Sequence, residues 1–185
     1  MRDLLLERGA SVHNLRLAAG LGRVDLIENF FDVDGGLRAE AGDLHWPFED
    51  PLTSNLLKPI KAQLQTTSDG WDHHSRDIIN NAFAYACMHN RIEAARLLLQ
   101  RGAEINVIPL GFHYPGAALH HAAVHGHRAT VEFLIEQGAD PNVKDKERGG
   151  TPAGWAAYGG YTELSNYLDR IEKAQIEERH PEVRG

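Results

Sequence analysis

The chain has 185 residues, with 19 basic against 26 acidic side chains, a formal charge of -7 and a sequence pI near 5.8. That length suits one domain with a continuous core, and the acidic balance disfavours nucleic acid and anionic membrane as partners. A single cysteine, Cys87, excludes an internal disulfide framework and suits a reducing compartment. The longest apolar runs, such as "RLLLQ" and "EFLI", fall far short of the roughly 18 residues of a membrane-spanning helix. The opening "MRDLLLERGASVH" carries acidic residues among its leucines, unlike a secretory signal, so the expected location is cytoplasmic.

In chain order, residues 1–13 read as the second helix of a helical unit that begins part-way through. Leu4, Leu5 and Leu6 form a continuous apolar run there, and only one side of it can pack on the first full unit, through residues such as Leu15, Leu17 and Leu26. The other side is expected to be covered by a partner, by self-association or by upstream residues. Residues 14–36 then read as that first full unit, 37–76 as an insertion, and 77–110, 116–145 and 150–170 as three more units. Residues 171–185 form a strongly charged tail, expected to be a polar helix that fades before Pro181. The insertion holds "LHWPFEDP" and "LLKPIKAQL" and is either a decayed unit or an elongated loop folded over the array. Trp46, Phe48 and Trp71 favour an ordered insertion, since they are costly to leave in water.

The division into units rests on self-similarity. "RLLLQRGAEINV" at 96–107 matches "EFLIEQGADPNV" at 132–143, and "DLLLERGASVH" near the start matches the same helix end. Short alanine-rich segments come first: "LAAGLGRV", "AYACMHNR", "HAAVHGHR" and "WAAYGGYT". Aligned on the turn, they place Gly22, Asn90, Gly126 and Gly160 in register, at spacings of 68, 36 and 34 residues, the first being twice a single period. Each unit reads as two helices and a loop. Ala122 and Ala123, or Ala156 and Ala157, let first helices approach closely, and Val131, Leu134 and Ile135 supply the apolar stripe of a second helix. Gly102 and Gly138 stand where that helix needs a left-handed terminal residue, and Pro141 comes next, where no helix continues. Neither helix buries its face alone, so neighbouring units must stack.

Through "GTPAGWAAYGGYTEL" and "ALHHAAVHGHRATVEFLIEQGADPNVKD", the chain resembles the ankyrin repeat family over about two thirds of its length. The resemblance implies an all-α, ankyrin-type helical repeat solenoid, here with an irregular insertion. The third unit departs from the pattern at Ala117 and Ala118, where threonine and proline are usual. The second departs at Asn81, Ala82 and Ala84, and the fourth at Gly154 and Tyr161. These changes are expected to weaken local capping.

Four histidines fall within eight positions, at 120, 121, 125 and 127. The resemblance implies that His120 and His127 are structural, bonding loop backbone and tying units together. It places His121 and His125 among the variable positions facing the concave groove, with His89 in the place of His125 one unit earlier. His121 and His125 stand at i, i+4, a metal-ligand spacing. Yet facing helices lie about 8–10 Å apart, zinc needs three or four ligands at about 2.0–2.1 Å, and nothing in the sequence completes such a set. No metal and no cofactor are therefore expected. The "DHHS" at 72–75 is assigned to the insertion, where consecutive histidines point apart. The phosphate-binding GxxxxGK[ST] and nucleophile GxSxG patterns are both missing. Cys87 aligns with a small interface alanine and reads as a packing residue.

A recognition surface is the remaining reading. The groove positions collect Tyr85, Met88, His89, His121, Val124, His125, Trp155 and Tyr158, and the loop "NVIPLGFHYPGAA" is expected to project Phe112, His113 and Tyr114 at a finger tip beside it. Exposed aromatic side chains bring large contact area at small entropic cost. The expectation is a noncatalytic protein-protein interaction module that binds another protein through groove and loop tips. The competing reading is an enzyme or a small-ligand or metal-binding protein, its groove histidines closed over by the insertion.

Overall fold

The computed structural model describes residues 12, 14–41, 73–110, 112 and 114–179. Among them are eight α-helices and one short 3-10 turn. They are α1 (Leu15–Leu21), α2 (Val24–Glu28), α3 (His73–Met88), α4 (Ile92–Gln100), α5 (Ala118–Val124), α6 (Arg128–Glu136), α7 (Pro152–Tyr158) and α8 (Thr162–Arg179), with the 3-10 turn at Ala39–Ala41. The odd-numbered helices pack in sequence as one layer, α1 on α3, α3 on α5 and α5 on α7, and each even-numbered helix packs behind its partner. None of the described helices is long and apolar enough to cross a membrane.

Small side chains set the spacing of the first layer. Ala18, Ala19, Ala82, Ala86, Ala122, Ala123, Ala153 and Ala156 are all buried at the helix contacts, with Leu15, Phe83 and Leu119 filling the gaps. Behind them Ile27, Leu98, Val131, Leu134, Leu164 and Leu168 close the core. Each such fully buried aliphatic side chain contributes about 1.5–3 kcal/mol, and truncating Leu134 to alanine would cost about 2–5 kcal/mol. Ala157 differs from its counterpart Ala123: it is exposed, because no helix stacks beyond α7 among the described residues.

The turn register holds in all four units. Gly22, Asn90, Gly126 and Gly160 have φ of 73°, 55°, 68° and 84°, and Asn90 is the one non-glycine with positive φ among the described residues. Each left-handed residue is followed by the same closing bond: Arg23 N–H to Ala18 O (2.9 Å), Arg91 to Ala86 (2.8 Å), His127 to Ala122 (3.0 Å) and Tyr161 to Ala156 (2.9 Å). The second helices end similarly, with Gly102 and Gly138 left-handed at φ 94° and 92°, and Ala103 and Ala139 donating to Leu98 and Leu134.

The structure revises the sequence boundaries in three places. First, α1 packs directly on α3, and the Glu28–Arg101 ion pair joins the second helices of the same units. Among the described residues no helix pair stands between them. Leu37 pairs with Phe31 across an isolated bridge and Ala41 is buried, so 37–41 belong to the first unit. Trp46, Phe48 and Trp71 lie outside the described residues, as do Leu4, Leu5 and Leu6. Second, α3 begins at His73, nine residues before Ala82, the position matching the start of α5. Ala82 stands where the fourth unit has Pro152, so no proline keeps the helix from continuing towards the N-terminus, and the "DHHS" stretch is helical from His73 on. Third, α8 runs without a break from Thr162 to Arg179, so the helix is continuous across residue 171, and Pro181 lies outside the described residues.

Candidate functional site

The concave face is built by the first-layer helices and the loops that come after each second helix. Its starts are fixed by local chemistry. Asn14 Oδ1 accepts from Leu17 N–H (2.8 Å) at α1, and Thr151 Oγ1 accepts from Gly154 N–H (3.2 Å) at α7. Ala117 has no side chain that can cap α5, and His120 takes over. Its Nδ1 accepts from the Ala117 amide at 3.1 Å, while Nε2–H donates to Gly150 O at 3.0 Å in the next loop. His127 Nε2–H donates to Met88 O at 3.0 Å, linking the second and third units. One unit earlier Arg91 occupies the same position and its Nε–H donates to Gly20 O at 3.2 Å. In the fourth unit Tyr161 covers Gly126 with its ring, so that a Cβ on that glycine would strike it. Three different side chains thus seal the same joint. Burial lowers the pKa of both His120 and His127 below the ordinary imidazole value, which favours the neutral ring that His120 needs to accept at Nδ1.

The loop after α6 is organised by one carboxylate. Asp145 is buried and accepts from the amides of Glu147 (2.9 Å), Arg148 (2.7 Å) and Gly150 (2.7 Å) and from Trp155 Nε1–H (2.9 Å). Burial pushes its pKa up, but the Arg148 amide, the Trp155 indole and the other two amides outweigh it and hold the carboxyl at about 2. Nothing in the sequence pattern had singled out Asp145; its signal was the Asp five residues before a Gly-Thr-Pro opening.

Along the groove floor runs a chain of rings. Tyr85 meets His89 edge-on at 5.0 Å, Phe112 stands 5.9 Å from Tyr85 and 4.3 Å from His121, and His121 meets Trp155 at 5.5 Å. Arg16 extends the chain, its guanidinium 5.1 Å above the Tyr85 ring.

Two of the expected site residues are placed differently from their sequence reading. Phe112 does not project from a finger tip; it folds inward and packs on the core between Tyr85 and His121. His121 does not face open solvent: it is 3 % exposed, enclosed by Phe112 and Trp155. The loop supplies apolar cover that a repeat alignment of helices does not contain. Burial first, then His120 and His125, bring the His121 pKa down to about 3, and its Nε2 has no hydrogen-bond partner. His89, His125, Tyr114 and Tyr158 are exposed, Tyr158 at 88 %, and Tyr85, Met88, Val124 and Trp155 are partly so. His113 lies outside the described residues. His125 Nδ1–H donates to His121 O at 2.9 Å, closing the last turn of α5, and its ring lies 5.9 Å from that of His127. Burial, then His125, Arg91 and His127, lower the pKa of His89.

Among the described residues no group of three or more His, Cys, Asp or Glu side chains is arranged to hold a metal. Two open recesses, one lined by Gly22, Asn90, Arg91 and Glu93 and the other by Gly126, Arg128, Tyr161 and Glu163, gather no convergent donors. Cys87 is fully buried at the helix contact, and burial pushes its thiol far up.

Two family models match the chain. Residues 119–168 match "Ankyrin repeats (many copies)" and residues 79–107 match "Ankyrin repeat". Palmitoyltransferase AKR1 of Kluyveromyces lactis is 36% identical over 92 residues, covering 50% of this chain and 12% of that protein. Palmitoyltransferase Hip14 of Drosophila melanogaster is 30% identical over 84 residues (45% and 13%), and human Ankyrin repeat and SOCS box protein 3 is 37% identical over 62 residues (34% and 12%). The chain therefore spans only a small part of these relatives, and the matched stretches do not cover the catalytic domains of the two transferases.

Proposed function

We propose that this chain, which belongs to the ankyrin repeat family, is a noncatalytic module that binds another protein through its concave groove and loop tips. Such repeats generally mediate protein-protein interaction. The observation that carries the reading is the set of partly and fully exposed rings, Tyr85, His89, Trp155 and Tyr158, carried by the close-packed first-layer helices. Aromatic side chains bring large contact area at small entropic cost on docking. The buried histidines support the same reading from the other side. His120 and His127 are spent on backbone bonds, and His121 is shut beneath Phe112, so among the described residues His89 and His125 are not joined by a third metal-ligating side chain. We place the module in the cytoplasm, in keeping with its lone buried thiol.

Affinity capture with the intact chain tests this against a variant carrying His89→Ala and Tyr158→Ala. Both side chains are exposed, so the fold is expected to survive. The reading predicts a partner that the parent retains and the variant loses. A partner held equally by both, and released only by changes on α4 or α6, would place recognition on the opposite face.

A further inference from the structure

The stacked part of the inner layer is free of carboxylates. Residues 14–24, 78–92, 115–131 and 148–162 cover α1, α3 from Ile78 on, α5 and α7 with their closing turns, nearly a third of the chain, and all 26 Asp and Glu residues fall outside them. The same stretches hold Arg16, Arg23, Arg91, Arg128 and Arg148 and five histidines. In a chain with a formal charge of -7, acidic side chains are thus kept out of the stacked part of the first layer, Asp77 lying in the N-terminal extension of α3.

Several of these cations serve the fold. Arg23 pairs with Asp25, Arg128 with Glu132, and Arg91 bonds Gly20 O. Others look into the groove. Arg16 lies over Tyr85, and His89 and His125 are exposed on the same face. At the far end the loop after α6 adds exposed Lys144, Lys146 and Arg148 beside Trp155. Its three acids weigh little against them. Asp140 accepts from the Asn142 amide at 2.9 Å, Asp145 is turned inward and consumed by four donors, and Glu147 stands 3.9 Å from Arg148 on the solvent side. At the other end Asp32 is occupied by the amides of Asp34 and Gly36.

We infer that the groove takes an acidic, extended segment of the partner protein, its Asp or Glu side chains meeting Arg16 at one end and Lys144, Lys146 and Arg148 at the other, and its aromatic or aliphatic side chains resting on the ring floor between. The inference rests on the binding-module reading and adds the partner's charge to it. Complementary charge governs which segments dock and how fast, whereas the rings supply contact area that carries no sign.

The test uses a synthetic peptide repeating Glu-Leu-Tyr-Asp, its counterparts with lysine or serine at the acidic positions, and a single-stranded DNA oligomer, each titrated by fluorescence anisotropy. The acidic peptide is expected to bind at least about tenfold tighter than either counterpart and to weaken as salt rises from about 50 to about 300 mM. Arg148→Glu, at a side chain 82% exposed, should remove most of that preference. Arg16→Glu with Arg148→Glu should erase it, and Arg170→Glu on the opposite helix layer should leave it intact. Equal binding of all three peptides, DNA bound as tightly as the acidic peptide, or an effect of Arg170→Glu as large as that of Arg148→Glu would overturn the inference. Preference for the serine or lysine peptide, lost on Tyr158→Ala, would overturn it while leaving the binding module standing.

Discussion

Burial of His121 predicts that the fold loses stability in mild acid. The ring is 3 % exposed, pressed between Phe112 and Trp155, and its pKa is brought down to about 3 by burial and by the neighbouring His120 and His125. In the unfolded chain it returns to about 6.5. The fold therefore binds the neutral ring, the unfolded chain takes up the proton first, and the His121 contribution is full above about pH 6.5 and declines as pH falls towards about 3. Between about pH 7.5 and about pH 5 that single site should remove about 2 kcal/mol, from one proton at about 1.4 kcal/mol per pH unit. His120, whose pKa is also lowered, adds in the same direction. Replacing His121 by phenylalanine isolates its share. The change gives up a bond to the Gly116 carbonyl but also removes a buried Nε2 with no partner, two effects of about 1 kcal/mol each and opposite sign. Stability near pH 7.5 should stay within about 1 kcal/mol of the parent. Urea unfolding at intervals from about pH 7.5 to about pH 5 should show the slope of the variant reduced by close to one proton. An unchanged slope would mean that His121 is hydrated in the fold and that Phe112 does not seal it.

Gly138→Ala should cost more than about 1 kcal/mol, read from the urea midpoint; φ is 92° and nothing crowds the new Cβ, so the penalty is backbone strain alone. Asp145→Asn should destabilise by about 2–4 kcal/mol near neutral pH, because an amide cannot accept from three amides and an indole at once. With its pKa held at about 2, the Asp145 contribution is present above about pH 4 and lost as pH falls through about 2, so the gap between parent and variant should narrow there. Zinc is expected to leave the melting temperature within about 1 °C of the metal-free value, and stoichiometric metal in the purified protein would refute that.

The repeat could be read from the sequence because its punctuation is local. A left-handed turn selects glycine or asparagine at Gly22, Asn90, Gly126 and Gly160, and close helix contact selects alanine at the buried first-layer positions. Both requirements act within a few residues of the side chain that satisfies them. The roles of His120 and His127 came from their aligned positions and are matched by bonds to Gly150 and Met88. Burial of His121 could not be read this way, since it depends on Phe112 arriving from a loop whose path no repeat pattern encodes. The early start of α3 was hidden for a related reason: it reflects the missing proline at Ala82, and the absence of a helix breaker leaves no positive mark in the sequence. Direct stacking of α1 on α3 across the insertion is likewise a property of the assembled array.

Hydrogen exchange of the captured complex, read segment by segment against the free protein, tests the central claim most directly. Recognition through the concave face predicts added protection in α1, the C-terminal half of α3, α5 and α7 and in the loop at 140–150, with α4, α6 and the outer side of α8 unchanged. Protection confined to α4, α6 and α8 would contradict the account.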